Sequence, residues 1–181
     1  MPGFKDTFTL RQVIKNLNDI FDGGGSGYVL TRGSTEFDTD WQNNAYGVMH
    51  IVGNTTATTI SNSDEWTQVA FFSASATKGI SFASNELTIS RDGDYAITVA
   101  LSFEGFAADT FVFGIAVDDT VDEDSRIERK TPAADVGALA ICTIKGLSVD
   151  DTLQLYVKNK ALTNNPTITE ASFAVHSLSA T

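Results

Sequence analysis

Cysteine occurs once in the 181 residues, at Cys142, so an internal disulfide is excluded and stability has to come from packing or association. Cys142 sits in the apolar run 136–144 with no histidine or cationic cluster beside it, and is read as a core residue rather than a reactive thiol. Histidine is nearly absent: only His50 and His176 exist to serve as a histidine base, and both fall inside strand patterns, so no catalytic residue is assigned. Positive charge is scarce, 12 Lys and Arg against 23 Asp and Glu, and the formal charge of −11 would repel a phosphate backbone. That excludes nucleic acid as a partner. No apolar run reaches the roughly 18 residues that cross a bilayer, so no membrane partner is expected. The first residues lack the basic-then-apolar order of a signal peptide, and the expectation is a protein made and used without secretion. No glycine motif follows a strand to cradle phosphate, and no Cys/His set has zinc spacing, so no cofactor is expected.

What is present divides into an arm, a neck and a barrel. Over residues 9–21, Leu10, Val13, Ile14, Leu17, Ile20 and Phe21 recur at spacings of three and four, with Arg11, Lys15, Asn16 and Asp19 between them. This is the pattern of a short amphipathic α-helix. Thr9 and Gln12 have capping-box spacing at its start, and Gly23, Gly24, Gly25 and Gly27 end it. A helix of about 13 residues is marginal alone in water, so its apolar stripe needs cover. Three covers are open: the chain's own barrel, a three-helix bundle at a trimer axis, or a groove on another protein.

Residues 27–45 form the neck. Tyr28, Val29 and Leu30 are a short apolar anchor; a turn is expected over residues 32–35, then an extended piece whose Phe37 and Trp41 seat on the barrel. Glu36, Asp38 and Asp40 alternate, so an extended chain would point all three carboxylates one way. A solvated acidic edge is the reading adopted, with a Ca²⁺ site behind it.

From residue 46 onward, strand patterns recur between Gly, Asn, Asp and Ser turns and no helical period appears, which means an all-β sandwich or barrel. Strands are expected at 46–52, 56–60, 67–72, 80–82, 86–90, 93–103, 110–118, 126–129, 136–145, 152–159 and 168–178. Tyr95, Ile97, Val99, Leu101 and Phe103 share one face, and Phe111, Phe113, Ile115 and Val117 share another. Their opposite faces carry Ala96, Thr98, Ala100 and Ser102, then Val112, Gly114 and Ala116, small enough to admit another layer such as a second subunit. The acidic run Asp118, Asp119, Asp122, Glu123 and Asp124, followed by Arg126, Arg129 and Lys130, reads as a solvated loop; Ca²⁺ binding and contacts between copies are the alternatives. Asn54, Thr55 and Thr56 match a glycosylation acceptor.

Two resemblances add to this reading. The stretch GYVLTRGSTEFDTDW, residues 27–41, resembles a segment of bacteriophage virion proteins of tail-fibre and head-fibre type. There a Gly-x-Val-Leu element precedes a Ser, acidic residues and a Trp, and joins an attachment region to a trimeric distal domain. Residues 66–178 resemble the trimeric jelly roll of the tumour-necrosis-factor and complement-globular superfamily. The residues that carry this are Gly93, Asp94 and Tyr95 opening a long strand, Leu101, Ser102 and Phe103 closing it, residues 111–117, residues 147–155 as a Leu-x-x-x-Asp-x-Leu pattern, and residues 173–175. Asp150 stands where that family commonly has Gly, which leaves the form of the turn before Thr152 open. Together the resemblances imply an antiparallel jelly-roll sandwich with an N-terminal helical arm. They also imply a homotrimer on a virion surface, a capsid decoration (cement) protein gripping the major capsid protein through Leu10, Val13, Ile14, Leu17, Ile20 and Phe21. The alternative is a head- or tail-fibre tip that recognises a host receptor or glycan.

Overall fold

Alternating burial along two long strands organises the main unit. In β8 (Gly93–Glu104), Tyr95, Ile97, Val99, Leu101 and Phe103 are buried while Asp94, Thr98, Ala100 and Glu104 are exposed. The computed structural model describes residues 28–32, 39–43, 45–106, 108–131 and 136–180. It separates residues 1–43 from residues 44–181.

In the first unit, β1 (Tyr28–Arg32) and β2 (Thr39–Asn43) pair antiparallel, with Leu30 opposite Trp41. The extended piece expected after the turn is a strand that pairs with the first one. Arg11, the apolar stripe from Leu10 to Phe21, and Phe37 lie outside the described residues, as do Glu36 and Asp38 of the proposed acidic edge.

Among the described residues, the second unit is all-β apart from one 3-10 turn at Glu123–Ser125. Its strands are β3 (Tyr46–Ile51), β4 (Thr67–Gln68), β5 (Ser73–Lys78), β6 (Ile80–Ala83), β7 (Glu86–Ile89), β8, β9 (Thr110–Val117), β10 (Thr120–Val121), β11 (Ile127–Lys130), β12 (Val136–Leu147), β13 (Thr152–Asn159) and β14 (Thr167–Ala180). Five strands form one sheet in the order β12-β8-β14-β3-β5. The other sheet runs β10-β9-β13-β7-β6, with β11 also on β9 and β4 also on β13. All pairings are antiparallel. The two sheets face each other across a core in which Phe103 meets Phe111 edge-on at 5.6 Å and Phe113 at 5.0 Å. Tyr95, Met49, Leu87, Leu153 and Phe173 complete it, each worth roughly 1.5–3 kcal/mol of burial before ordering costs.

Turn chemistry sets the hairpins. Ser84 and Asn85 join β6 to β7, and Asp118 and Asp119 join β9 to β10; all four residues have positive φ, the twist that matches two-residue hairpins. Asp150 also takes a left-handed conformation, φ 70°. It occupies the backbone state that glycine favours, which Asp tolerates better than most residues.

Some strand expectations change. Of residues 67–72, only Thr67–Gln68 form a strand. Residues 56–60 form no strand: Thr58 N donates to Pro166 O and Ile60 N to Asn165 Oδ1, isolated bonds to a loop rather than a ladder. Conversely β5, Ser-Ala-Ser-Ala-Thr-Lys, is an edge strand with almost every residue exposed, so it has no apolar alternation to reveal it.

Candidate functional site

The outer face of the five-stranded sheet carries an unusual run of small and apolar side chains. Register aligns Cys142, Thr98, Ala174, Val48 and Ala76 in one row across all five strands. The neighbouring row is Ala140, Ala100, Ser172 and His50. Neither row holds an Asp, Glu, Lys or Arg. β12, β8, β14 and β3 alternate in burial, so Ile141, Val99, Phe173 and Met49 go to the core and their small neighbours face outward. Along the rims, Val52 is 73% exposed, Ile144 63% and Val136 58%, values that mark uncovered apolar surface. A groove of about 550 Å³ opens on this face, lined by His50, Val52, Ala100, Ala138, Glu170 and Ser172 among others. Glu170 Oε1 accepts a hydrogen bond from Gly53 N at 3.0 Å, which holds one wall. Towards the end where residue 45 enters, the rings of Tyr46 and His176 lie 6.3 Å apart. This surface has much apolar area to lose against a flat partner.

The matching face of β9 is closed. Val112, Gly114 and Ala116 are buried, and the cover comes from the same chain: a methyl placed on Gly114 would lie 2.7 Å from Val121 Cγ1 and 3.5 Å from Trp66 Cη2. The expectation that these small residues admit a second subunit is therefore corrected. The Thr98 and Ala100 side of β8 remains open.

Cys142 is exposed on this open face, not in the core. In β12 both parities are apolar, and register with β8 puts Ile141 inward and Cys142 outward. His50 is half-buried and His176 exposed, both on the open face. Tyr28 and Leu30 lie in β1 and Trp41 in β2.

The acidic run makes its contacts within the chain. Asp118 Oδ1 accepts from Thr152 N at 2.9 Å and Thr152 Oγ1 at 3.1 Å. Asp119 Oδ1 accepts from Tyr156 Oη at 2.8 Å and Gln154 Nε2 at 3.3 Å. Asp122 pairs with Lys145 at 2.7 Å, and Glu123 with Arg126. Among the described residues no group of three or more His, Cys, Asp or Glu is placed to hold a metal ion. Asn54 Nδ2 donates to Thr56 O and Ile168 O, and Asn54 Oδ1 accepts from Thr56 N, so the amide of the glycosylation match is committed to a local turn and to the backbone of β14.

Two antiparallel sheets with this strand order define a jelly roll of the tumour-necrosis-factor type. The chain is similar in fold to murine APRIL at pH 5.0, with TM-score 0.55 and 11% identity over 74% of this chain and 99% of that one. The pH 8.0 structure of murine APRIL matches with TM-score 0.51 and the same identity and coverage. Eiger TNF from S. frugiperda matches with TM-score 0.50 and 11% identity over 76% of this chain and 95% of that one. At this identity the likeness establishes the fold. No family model and no curated protein matches the sequence.

Proposed function

We propose that this chain is a non-enzymatic structural protein of a virion surface. In this reading it is a homotrimer of jelly rolls that decorates and stabilises a phage capsid, holding the major capsid protein with the arm of residues 1–26. The observation that carries the self-association is the open face of the five-stranded sheet, where two strand-spanning rows lack formal charge and a groove of about 550 Å³ lies beside exposed Val52. Apolar surface of that kind, rimmed by Glu104, Glu170 and Lys78, has the make-up of an interface core with a polar border. Threefold symmetry and the virion setting are supported by the sequence resemblances, above all residues 27–41. The arm supports attachment because its apolar stripe has no function while exposed; burying each large side chain contributes on the order of 1.5–3 kcal/mol before ordering costs. Three linked arms then act through effective concentration.

Native mass measurement of the full chain at micromolar concentration should return three copies; a monomer overturns the trimer. Capsid sedimentation separates the second half: removing residues 1–26 should abolish co-sedimentation while the barrel still assembles. Full capsid binding by the truncated chain overturns the anchoring role.

A further inference from the structure

The opposite surface of the barrel, outside the seven-stranded sheet, holds a cavity of about 350 Å³ lined by Val112, Glu123, Arg126, Glu128, Lys158 and Lys160. Its layout follows from register. Glu128 of β11 and Lys158 of β13 both stand opposite Val112 of β9, so a carboxylate, a small apolar floor and an ammonium form one row across three strands. Around that row the charges match one to one. Lys160 Nζ lies 3.0 Å from Glu128 Oε2, Lys158 Nζ lies 2.7 Å from Asp64 Oδ1, and Arg126 pairs with Glu123. Lys158 is the most enclosed of the cations, 14% exposed, and its ammonium also sits 4.9 Å from the centroid of the Trp66 ring. Trp66 itself is half-buried against Gly114.

These features select a class of ligand. Each cation already has a carboxylate, so an anion would have to displace one, and in a chain of net charge −11 it would also approach against the overall field. A cation meets the same obstacle with signs reversed. A neutral molecule rich in hydroxyls has no such conflict, because each hydroxyl donates to a carboxylate and accepts from an ammonium or guanidinium at once. Val112, itself buried, closes the bottom of the cavity with an apolar side chain. The volume lies at the small end of the roughly 300–1,000 Å³ range of ligand sites.

The geometry points to a binding site for a neutral saccharide unit in the cavity over Val112, between Glu128 and Lys158. This site goes beyond the assembly reading and does not depend on it, since it lies on the sheet opposite the open face and a monomer would carry it equally.

The test uses the full chain, labelled with ¹⁵N, titrated with glucose, galactose, mannose and N-acetylglucosamine, and separately with N-acetylneuraminic acid and inorganic phosphate. At least one neutral sugar should shift the amide signals of Val112, Glu128 and Lys158 saturably, with a Kd of about 1 mM. Glu128→Gln and Lys160→Met alter half-exposed side chains and leave the fold intact; each should weaken that sugar about tenfold. The proposal is overturned if none of the neutral sugars shifts these amides, if only N-acetylneuraminic acid or phosphate does, or if both variants bind the sugar as tightly as the unaltered chain.

Discussion

Lys145 Nζ lies 2.7 Å from Asp122 Oδ2 and so ties the edge of one sheet to the turn beside the other. Lys145 stands on the inward parity of β12 with Ile141 and Leu147, and Asp122 precedes the 3-10 turn at Glu123–Ser125. Neither group is free to rehydrate fully, with side chains 28% and 15% exposed. Asp122→Asn should cost about 1–2 kcal/mol in urea unfolding, less than a fully buried pair because both ends reach water. Lys145→Met in the same background should recover part of that loss, and a double-mutant cycle reads the coupling. Additive losses in the cycle would show that the two residues act separately.

Two glycines of β12 make a direct comparison of space. A methyl on Gly137 would come within 2.5 Å of Phe103 Cζ, a ring fixed in the core, whereas at Gly146 the nearest atom is Asp94 Oδ1 at 3.6 Å. Gly137→Ala should therefore lower stability by about 1–3 kcal/mol through overpacking. Gly146→Ala should stay within about 0.5 kcal/mol of the unaltered protein. Thermal denaturation of the two variants side by side decides the matter, and equal midpoints would contradict the packing described.

Tyr156 gives the barrel an alkaline limit. Burial, then its hydrogen bond to Asp119 and the charges of Asp119 and Glu86, push its hydroxyl up to about 12. An unfolded tyrosine loses its proton near pH 10, so between about 10 and 12 the folded chain holds a proton that the unfolded chain has released. The contribution is complete below that window and is lost as pH rises through it. Tyr95 is raised too, chiefly by burial, and acts in the same direction. Comparing Tyr156→Phe with the unaltered protein isolates Tyr156: the variant's urea midpoint should fall less steeply over the window. Parallel alkaline slopes would refute the assignment.

Cys142 reports on the open face. It is exposed in the single chain and stands beside Thr98 in the charge-free row. If copies associate through this face, thiol modification should be slow at high protein concentration and fast on dilution, by at least about tenfold when association is tight. A bulky maleimide attached at Cys142 should then leave the chain monomeric by light scattering. Concentration-independent labelling would show that copies do not associate through this face.

The strands that build the core were legible because each announces itself locally. Tyr95 to Phe103 and Phe111 to Val117 alternate with period two, and both sets are buried or nearly so. Loop-spaced turn residues marked the hairpins for the same reason. Less was legible of the edges: β5 has no apolar face, and residues 56–60 look like a strand although only single hydrogen bonds hold them. Of the candidate sites, the small outward residues of β8 were readable, but their counterparts on β9 pointed to an exposed surface that does not exist.

What the sequence determined by itself, then, was the all-β class, the inward faces of β8 and β9, and the exclusion of an internal disulfide, because periodicity and composition act over a few residues. Only the tertiary structure decided which outward face stays open. Trp66 and Val121 close over Gly114 from distant or hairpin-linked positions, register sends Cys142 outward, and Glu128, Val112 and Lys158 meet in one row through strand order. Those outcomes depend on pairings between segments far apart in the chain, which local pattern does not encode.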